Sequence, residues 1–197
     1  MSITLSIKSY VRITGLSLVQ LTNKSYANRG MNLEQIVNTS NNVYRQKRMA
    51  AVFKVPTPTK VLYKNMNGYR VPVKAFYESK SWLDYVGIVN GKGVTFDAKE
   101  TNSKTSFPLS NVKPHQVEAM KIWHTCGGIA FFIVWWKQMN EFYLLPYEPF
   151  MRAWHEAEKG GRKSIKYECF QNKAIRIHTG NDTYLDWLTA YKTLYGA

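Results

Sequence analysis

Helix-like and strand-like segments alternate along this chain, which predicts a mixed α/β sheet flanked by helices. Three features carry the prediction. Asn90-Gly91-Lys92-Gly93 is a turn signal between two β-rich runs, Tyr85 to Val89 and Val94 to Ala98. The apolar run Ile129 to Trp136 suits a strand buried on both faces and is too short to span a bilayer. Helix starts stand on either side of the hairpin, at Asn32 and at Pro114.

In chain order, Asn32 can cap a helix with Gln35 three residues on, and Leu33, Ile36, Val37 and Val43 supply its apolar stripe to about Met49. Ala51 to Val55 reads as a strand, and Pro56-Thr57-Pro58 as a stiff extended break that cannot lie inside a central strand. Thr59 to Arg70 has strand character at Val61 to Tyr63 and a turn at Asn67-Gly68. Its apolar content is too small for a core, so a projecting basic hairpin, a stalk over about 56–72, is expected. Val71 to Tyr77 is expected to return to the sheet, with Pro72 at an edge or at the root of the stalk. Beyond the Asn90 hairpin, Thr101 to Asn111 reads as a polar loop. Pro114 opens a helix through His124 that Gly127 and Gly128 end. Phe142 to Leu145 is expected to pair beside Ile129 to Trp136. Glu148 to Glu158 forms a helix closed by Gly160-Gly161, and Asp182 caps a last helix through Leu194. One domain over 28–197, preceded by a basic arm over 1–27, is the expected organisation; no internal repeat or low-complexity tract interrupts it.

A net charge of +14 makes a polyanion the natural partner. The charge is uneven, because no acidic residue falls between Glu34 and Glu78 while Arg45, Lys47, Arg48, Lys54, Lys60, Lys64, Arg70 and Lys74 alternate with Tyr44, Phe53, Tyr63, Tyr69 and Phe76. Basic residues mixed with aromatics suit nucleic acid, with stacking wherever bases are unpaired. Lys60, Tyr63, Lys64, Tyr69 and Arg70 of the stalk are therefore DNA-contact candidates, against the blander reading of a solvated basic face. Cys126 and Cys169 lack zinc spacing and point to a reducing compartment, here the cytoplasm, and the first 24 residues do not read as a secretion signal.

The hairpin carries the chemistry. If Gly91 and Lys92 form its loop, Asn90 pairs with Gly93, Val86 with Asp97 and Asp84 with Lys99. Asp84, Asp97 and Lys99 then emerge on one face, with Val94, Phe96 and Ala98 on the other. Two carboxylates can hold a hard divalent cation such as magnesium, with manganese as a substitute. A neighbouring lysine can orient water or offset charge on a phosphorane-like transition state, which makes a metal-dependent nuclease the leading reading. The alternative is a cross-strand ion pair between Asp84 and Lys99. Thr105 and Ser106 can donate to phosphate or form a turn, and Arg162 and Lys163 can clamp phosphate or sit at a solvated helix end. His115 and His124 read as surface or packing residues.

A series of motifs resembles a known family: Asn28-Arg29-Gly30-Met31 with Leu33-Glu34, Pro56-Thr57-Pro58, Asp84-Tyr85 with Gly87, Asp97-Ala98-Lys99-Glu100-Thr101, Lys104 to Leu109, His115-Gln116 and Gly161 to Ile165. In this order they are similar to the RecU Holliday junction resolvases. The resemblance implies a restriction-endonuclease-like fold of the PD-(D/E)xK type, a homodimer and magnesium-dependent symmetric nicking of four-way DNA junctions. It also implies Asp84 and Asp97 as metal carboxylates, Gln116 as a further ligand, Lys99 as the transition-state stabiliser and Glu34 as an acidic residue brought near the metal by the first helix. Arg29 joins the DNA-contact candidates, and a recombinase is a candidate protein partner. Two departures stand out: Asp97 where the family often has Glu, and Trp82 where it often has Thr. The segment after Ile165 matches poorly and receives no role. Two rivals are another PD-(D/E)xK nuclease without junction preference and a non-enzymatic architectural or recombinase-modulating DNA binder.

Overall fold

Reciprocal capping starts the first helix where the sequence predicts it. In the computed structural model, which describes residues 31–56, 59–77 and 83–196, the Asn32 side chain accepts from the Gln35 N–H at 2.8 Å and the Gln35 side chain from the Asn32 N–H at 3.1 Å. Helix α1 (Leu33–Gln46) follows, then β1 (Ala51–Lys54), β2 (Thr59–Met66), β3 (Tyr69–Tyr77), β4 (Tyr85–Val89) and β5 (Lys92–Thr101). Next come β6 (Ser106–Pro108), α2 (Pro114–Thr125), β7 (Ile129–Trp136), β8 (Glu141–Pro146), α3 (Tyr147–Glu158), β9 (Ser164–Lys166), α4 (Tyr167–Lys173), β10 (Ile175–Ile177) and α5 (Trp187–Tyr195). The expected arm over 1–27, Arg29 and Trp82 lie outside the described residues.

The main sheet has six strands in the order β1-β4-β5-β7-β8-β10, with β5 and β7 parallel and every other pair antiparallel. This is the mixed α/β sheet expected, with helices on both faces. On one face Tyr85, Phe96 and Phe131 stack at centroid spacings of 4.8 Å, and Trp187 of α5 and Tyr44 of α1 close over them. On the other, Phe132 and Val134 of β7 pack with Met120 of α2, Phe150 of α3 and Phe170 of α4. Because side chains alternate, Asp97, one residue beyond Phe96 and paired in register with Phe132, faces the second layer.

The hairpin register differs from the expected one. Asn90 (φ 47°) and Gly91 (φ 73°) form the two-residue loop, and Val89 pairs with Lys92. A tight hairpin turn of this kind needs two consecutive left-handed residues, which Asn-Gly adopts readily and Lys92 does not. Each pairing therefore moves by two positions, so the faces are kept while the partners change. Tyr85 pairs with Phe96, which brings Asp84 opposite Asp97 in place of Lys99.

Other segments also depart from expectation. β3 does not return to the main sheet; it pairs along its length with β2, through a bulge at Leu62/Tyr63, in a sheet of two strands. Its Val71 and Val73, which share one face, are exposed and bury against nothing in the main sheet. Within the supposed loop 101–111, β6 pairs with β9, and Phe107 and Leu109 are buried in the second layer's core. Asp182 does not cap the last helix. It pairs with Lys47 at 2.5 Å, and Asp186, immediately before Trp187, accepts from the Thr189 N–H. The residues after Ile165 supply the edge strand β10 and, in Trp187, the cover of one core layer.

Gly87 is fixed by the approach of two backbones. A Cβ there would lie 2.1 Å from the Ala51 carbonyl oxygen and 2.6 Å from Val52 Cα. Gly87→Ala should therefore destabilise the β1–β4 pairing by about 1–3 kcal/mol or more, read as a drop in melting temperature. An unchanged melt would contradict the close approach.

Candidate active site

Asp97 is fully buried, and its Oδ2 is the hub of the site. The Lys99 ammonium lies 3.0 Å from it, and the Gln116 amide nitrogen donates to the same oxygen. The other end of Gln116 is also engaged, its Oε1 accepting from the Lys113 N–H at 3.0 Å. Pro114 and Gln116 fall at the first and third positions of α2, so the helix start sets the direction of this side chain. Oδ1 of Asp97 is buried without any hydrogen-bond partner. A buried carboxylate oxygen left bare is costly unless a cation or proton meets it.

Burial first, and then the neighbouring Asp84 carboxyl, push Asp97 up to about 7 against the opposing pull of Lys99. Asp84 stands immediately before β4 and is half-buried; its carbonyl accepts from the Val55 N–H at 2.8 Å, which ties the residue after β1 to it. Glu34, in the first turn of α1, ion-pairs with Lys54. Its charge, with those of Asp84 and Asp97, adds to burial in raising the Tyr85 hydroxyl above its usual range, so all three carboxylates act on one buried group.

Asp84, Asp97, Lys99 and Gln116 are thus brought together, and Glu34 is ion-paired with Lys54 and reaches them only through its effect on Tyr85. Among the described residues no group of three or more His, Cys, Asp or Glu side chains converges. The donors are hard oxygens, two carboxylates with one bare buried oxygen, a set that fits a hard divalent cation.

The remaining candidates fall in two places. Thr105, Ser106, Arg162 and Lys163 are gathered by the β6–β9 pairing, where the Leu109 N–H reaches the Lys163 carbonyl at 3.1 Å and Arg162 Nε donates to Ser164 at 2.9 Å. On the stalk, the Arg70 guanidinium lies 5.0 Å over the Tyr63 ring, and Tyr69 is three-quarters exposed beside the Asn67-Gly68 turn. Lys60 and Lys64 are exposed on the same hairpin. Sequence reasoning does not single out Lys54 or Lys113 as site residues. The Pro-x-Gln spacing after Lys113 is the available signal for the second, and nothing local marks the first.

An antiparallel pair that sets Asp84 against Asp-x-Lys on a mixed α/β sheet is the arrangement of the PD-(D/E)xK class. The chain belongs to the RecU family: the family model described as "Recombination protein U" matches residues 28–193, which extends past Ile165. The chain is 35% identical over 176 residues to the Holliday junction resolvase RecU of Oenococcus oeni, covering 88% of this chain and 89% of that protein. To the Holliday junction resolvase RecU of Geobacillus thermodenitrificans it is 37% identical over 172 residues, 86% of each. A solved structure of Hjc, a Holliday junction resolvase from Archaeoglobus fulgidus, superposes with a TM-score of 0.40 at 11% identity, over 69% of this chain and 92% of that one. Family membership rests on the sequence matches alone.

Proposed function

We propose that this chain is a structure-selective endodeoxyribonuclease that resolves four-way DNA junctions by symmetric, magnesium-dependent nicking in recombination and repair. The observation that carries the reading is Asp97, buried opposite Asp84 with one oxygen bare and the other held by Lys99 and Gln116. Asp84 and Asp97 would hold the cation, and Gln116, with its oxygen taken by the Lys113 N–H and its amide donating to Asp97, would fix that carboxylate in place of the ligand role the resemblance implies. When bound, a divalent cation supplies Lewis-acid polarisation of the scissile phosphodiester. Lys99 reaches the other oxygen of the same carboxylate, so its ammonium can hold the attacking water and offset charge building on the phosphate oxygens. Glu34, whose charge acts on Tyr85 together with those of Asp84 and Asp97, adds negative potential that favours the cation.

Junction preference is assigned to the stalk. It stands outside the main sheet, and its exposed Tyr69, Met66 and cation-backed Tyr63 offer platforms to bases that lose their partners where four arms meet. Two like active sites facing strands of like polarity require a two-fold assembly, which a homodimer provides. Both cysteines are unpaired, in keeping with the cytoplasm, and among the described residues no helix is long and apolar enough to cross a membrane.

Replacing Lys60, Lys64 and Arg70 together with Ala should weaken junction binding and flatten its dependence on log salt by roughly 0.9 for each phosphate no longer neutralised. The melting temperature should hardly move, because these side chains are exposed on a two-stranded hairpin. The loss should be greater on four-way DNA than on linear duplex at one salt concentration. Equal losses would reduce the stalk to a general phosphate anchor.

A further inference from the structure

A groove of about 540 Å³ lies between the Pro114 end of α2 and the Trp154–Glu158 end of α3. Its floor is apolar, with Leu109 and Val112 buried beneath it, and Trp154 and Ala157 form one wall. Trp154 is held in place: its indole N–H donates to Glu158 Oε1 at 3.0 Å, and Phe150 packs 5.8 Å from it. Lys113 and Lys163 line the rim and are exposed. Among the described residues Glu158 alone brings an acidic group to the lining, and the Trp154 N–H and His155 Nδ1 already occupy its two oxygens.

One side chain, Gln116, links the groove to the candidate active site. The Lys113 N–H binds Gln116 Oε1, and the other end of that same amide binds Asp97. A strand whose phosphate reaches Asp97 therefore has an aromatic-walled slot with two ammonium groups at its mouth one side chain away. A flat, apolar, anion-bearing occupant satisfies wall and rim together, whereas an apolar peptide would leave the lysines without partners.

We propose that this groove takes an unstacked nucleobase of the strand being cut, close to the scissile phosphate, with Trp154 as its stacking platform and Lys113 and Lys163 on the flanking phosphates. This rests on the nuclease reading above and adds a local interaction to the stalk's role. A base leaves its stack more easily near a junction centre than within a duplex, so the slot adds to the preference for branched DNA.

The test is an abasic scan. Four-way junctions lacking one base at each position around the cut are bound to the full-length protein, with calcium in place of magnesium, beside Trp154→Leu and Ala157→Trp, the second of which fills the slot. One abasic position should weaken wild-type binding roughly ten-fold. Each variant should lose a similar factor on the intact junction, and variant and abasic site combined should lose no more than either alone. If Trp154→Leu melts abnormally, Ala157→Trp carries the comparison. Wild-type protein that nicks junctions yet gives a flat scan, or losses that simply add, would overturn the slot and leave the nuclease reading intact. Failure of wild-type protein to nick any junction in magnesium would overturn the nuclease reading and this inference with it.

Discussion

Asp97→Asn should lower junction nicking on the order of 10³-fold or more while leaving junction affinity nearly unchanged. It removes a carboxylate from the proposed cation site but none of the basic groups on the stalk or at the β6–β9 sheet. The same change should stabilise the metal-free protein. Asp97 ordinarily ionises near 3.8 and is raised to about 7 when folded, by burial and by Asp84. The folded state thus binds the proton more tightly than the unfolded chain. The stability this gives is fully present below about 3.8 and is lost as pH rises through about 7. The asparagine variant stays neutral throughout and escapes that loss. Without metal at about pH 8 it should melt several degrees above wild type, each kcal/mol being worth roughly 2–4 °C in a domain of this size, and the gap should close near about pH 4. Magnesium should raise the wild-type melting temperature at the higher pH and leave the variant unmoved. Nicking near the wild-type rate would remove Asp97 from the cation site, and a variant less stable than wild type at high pH would contradict the cost of burying its charge.

Lys99→Ala should lower the single-turnover rate about 10²- to 10³-fold, the effect expected when one preorganised donor to developing phosphate charge is lost. Metal affinity should change little, because two consequences oppose each other. Loss of the ammonium 3.0 Å from Asp97 Oδ2 removes a charge that repels the cation, and it also removes the pull that keeps Asp97 acidic. Manganese titration followed by calorimetry separates the two roles. A collapse of affinity alongside the rate would make Lys99 a scaffold for the carboxylate, with no part in the transition state.

The shared face of Asp84, Asp97 and Lys99 was legible because strand alternation has a period of two, and the register moved by two. The faces therefore survived an error in the loop. Which residue opposes Asp97 was not legible, since that depends on whether Asn90 or Lys92 takes the left-handed turn position. α1 could be read to its first residue because Asn32 and Gln35 satisfy each other locally, and the last helix could not. Asp182 and Asp186 are both plausible caps, and a distant partner, Lys47, engages the first. β6 and β9 are each three residues long and exist only through one another, so neither leaves a periodic trace. The pairing of Glu34 with Lys54 and the groove between Lys113 and Trp154 join segments far apart in the chain, where no spacing rule reaches. The absence of acid and the Asn67-Gly68 turn mark the stalk, but nothing in the sequence shows that its second strand pairs with β2 and not with the main sheet. Apolar β-branched residues such as Val71 and Val73 look alike whether they are buried or exposed.

Metal-dependent cutting of branched DNA at the proposed Asp84–Asp97 site is open to a single assay. Purified full-length protein is mixed with a labelled four-way junction and with linear duplexes of the same arm sequences, with magnesium or with chelator. Paired nicks at symmetry-related positions of the junction, little cutting of the duplexes, and none in chelator or with Asp97→Asn are the results expected. Cutting that survives chelation, or junction and duplex cut at equal rates, would contradict it.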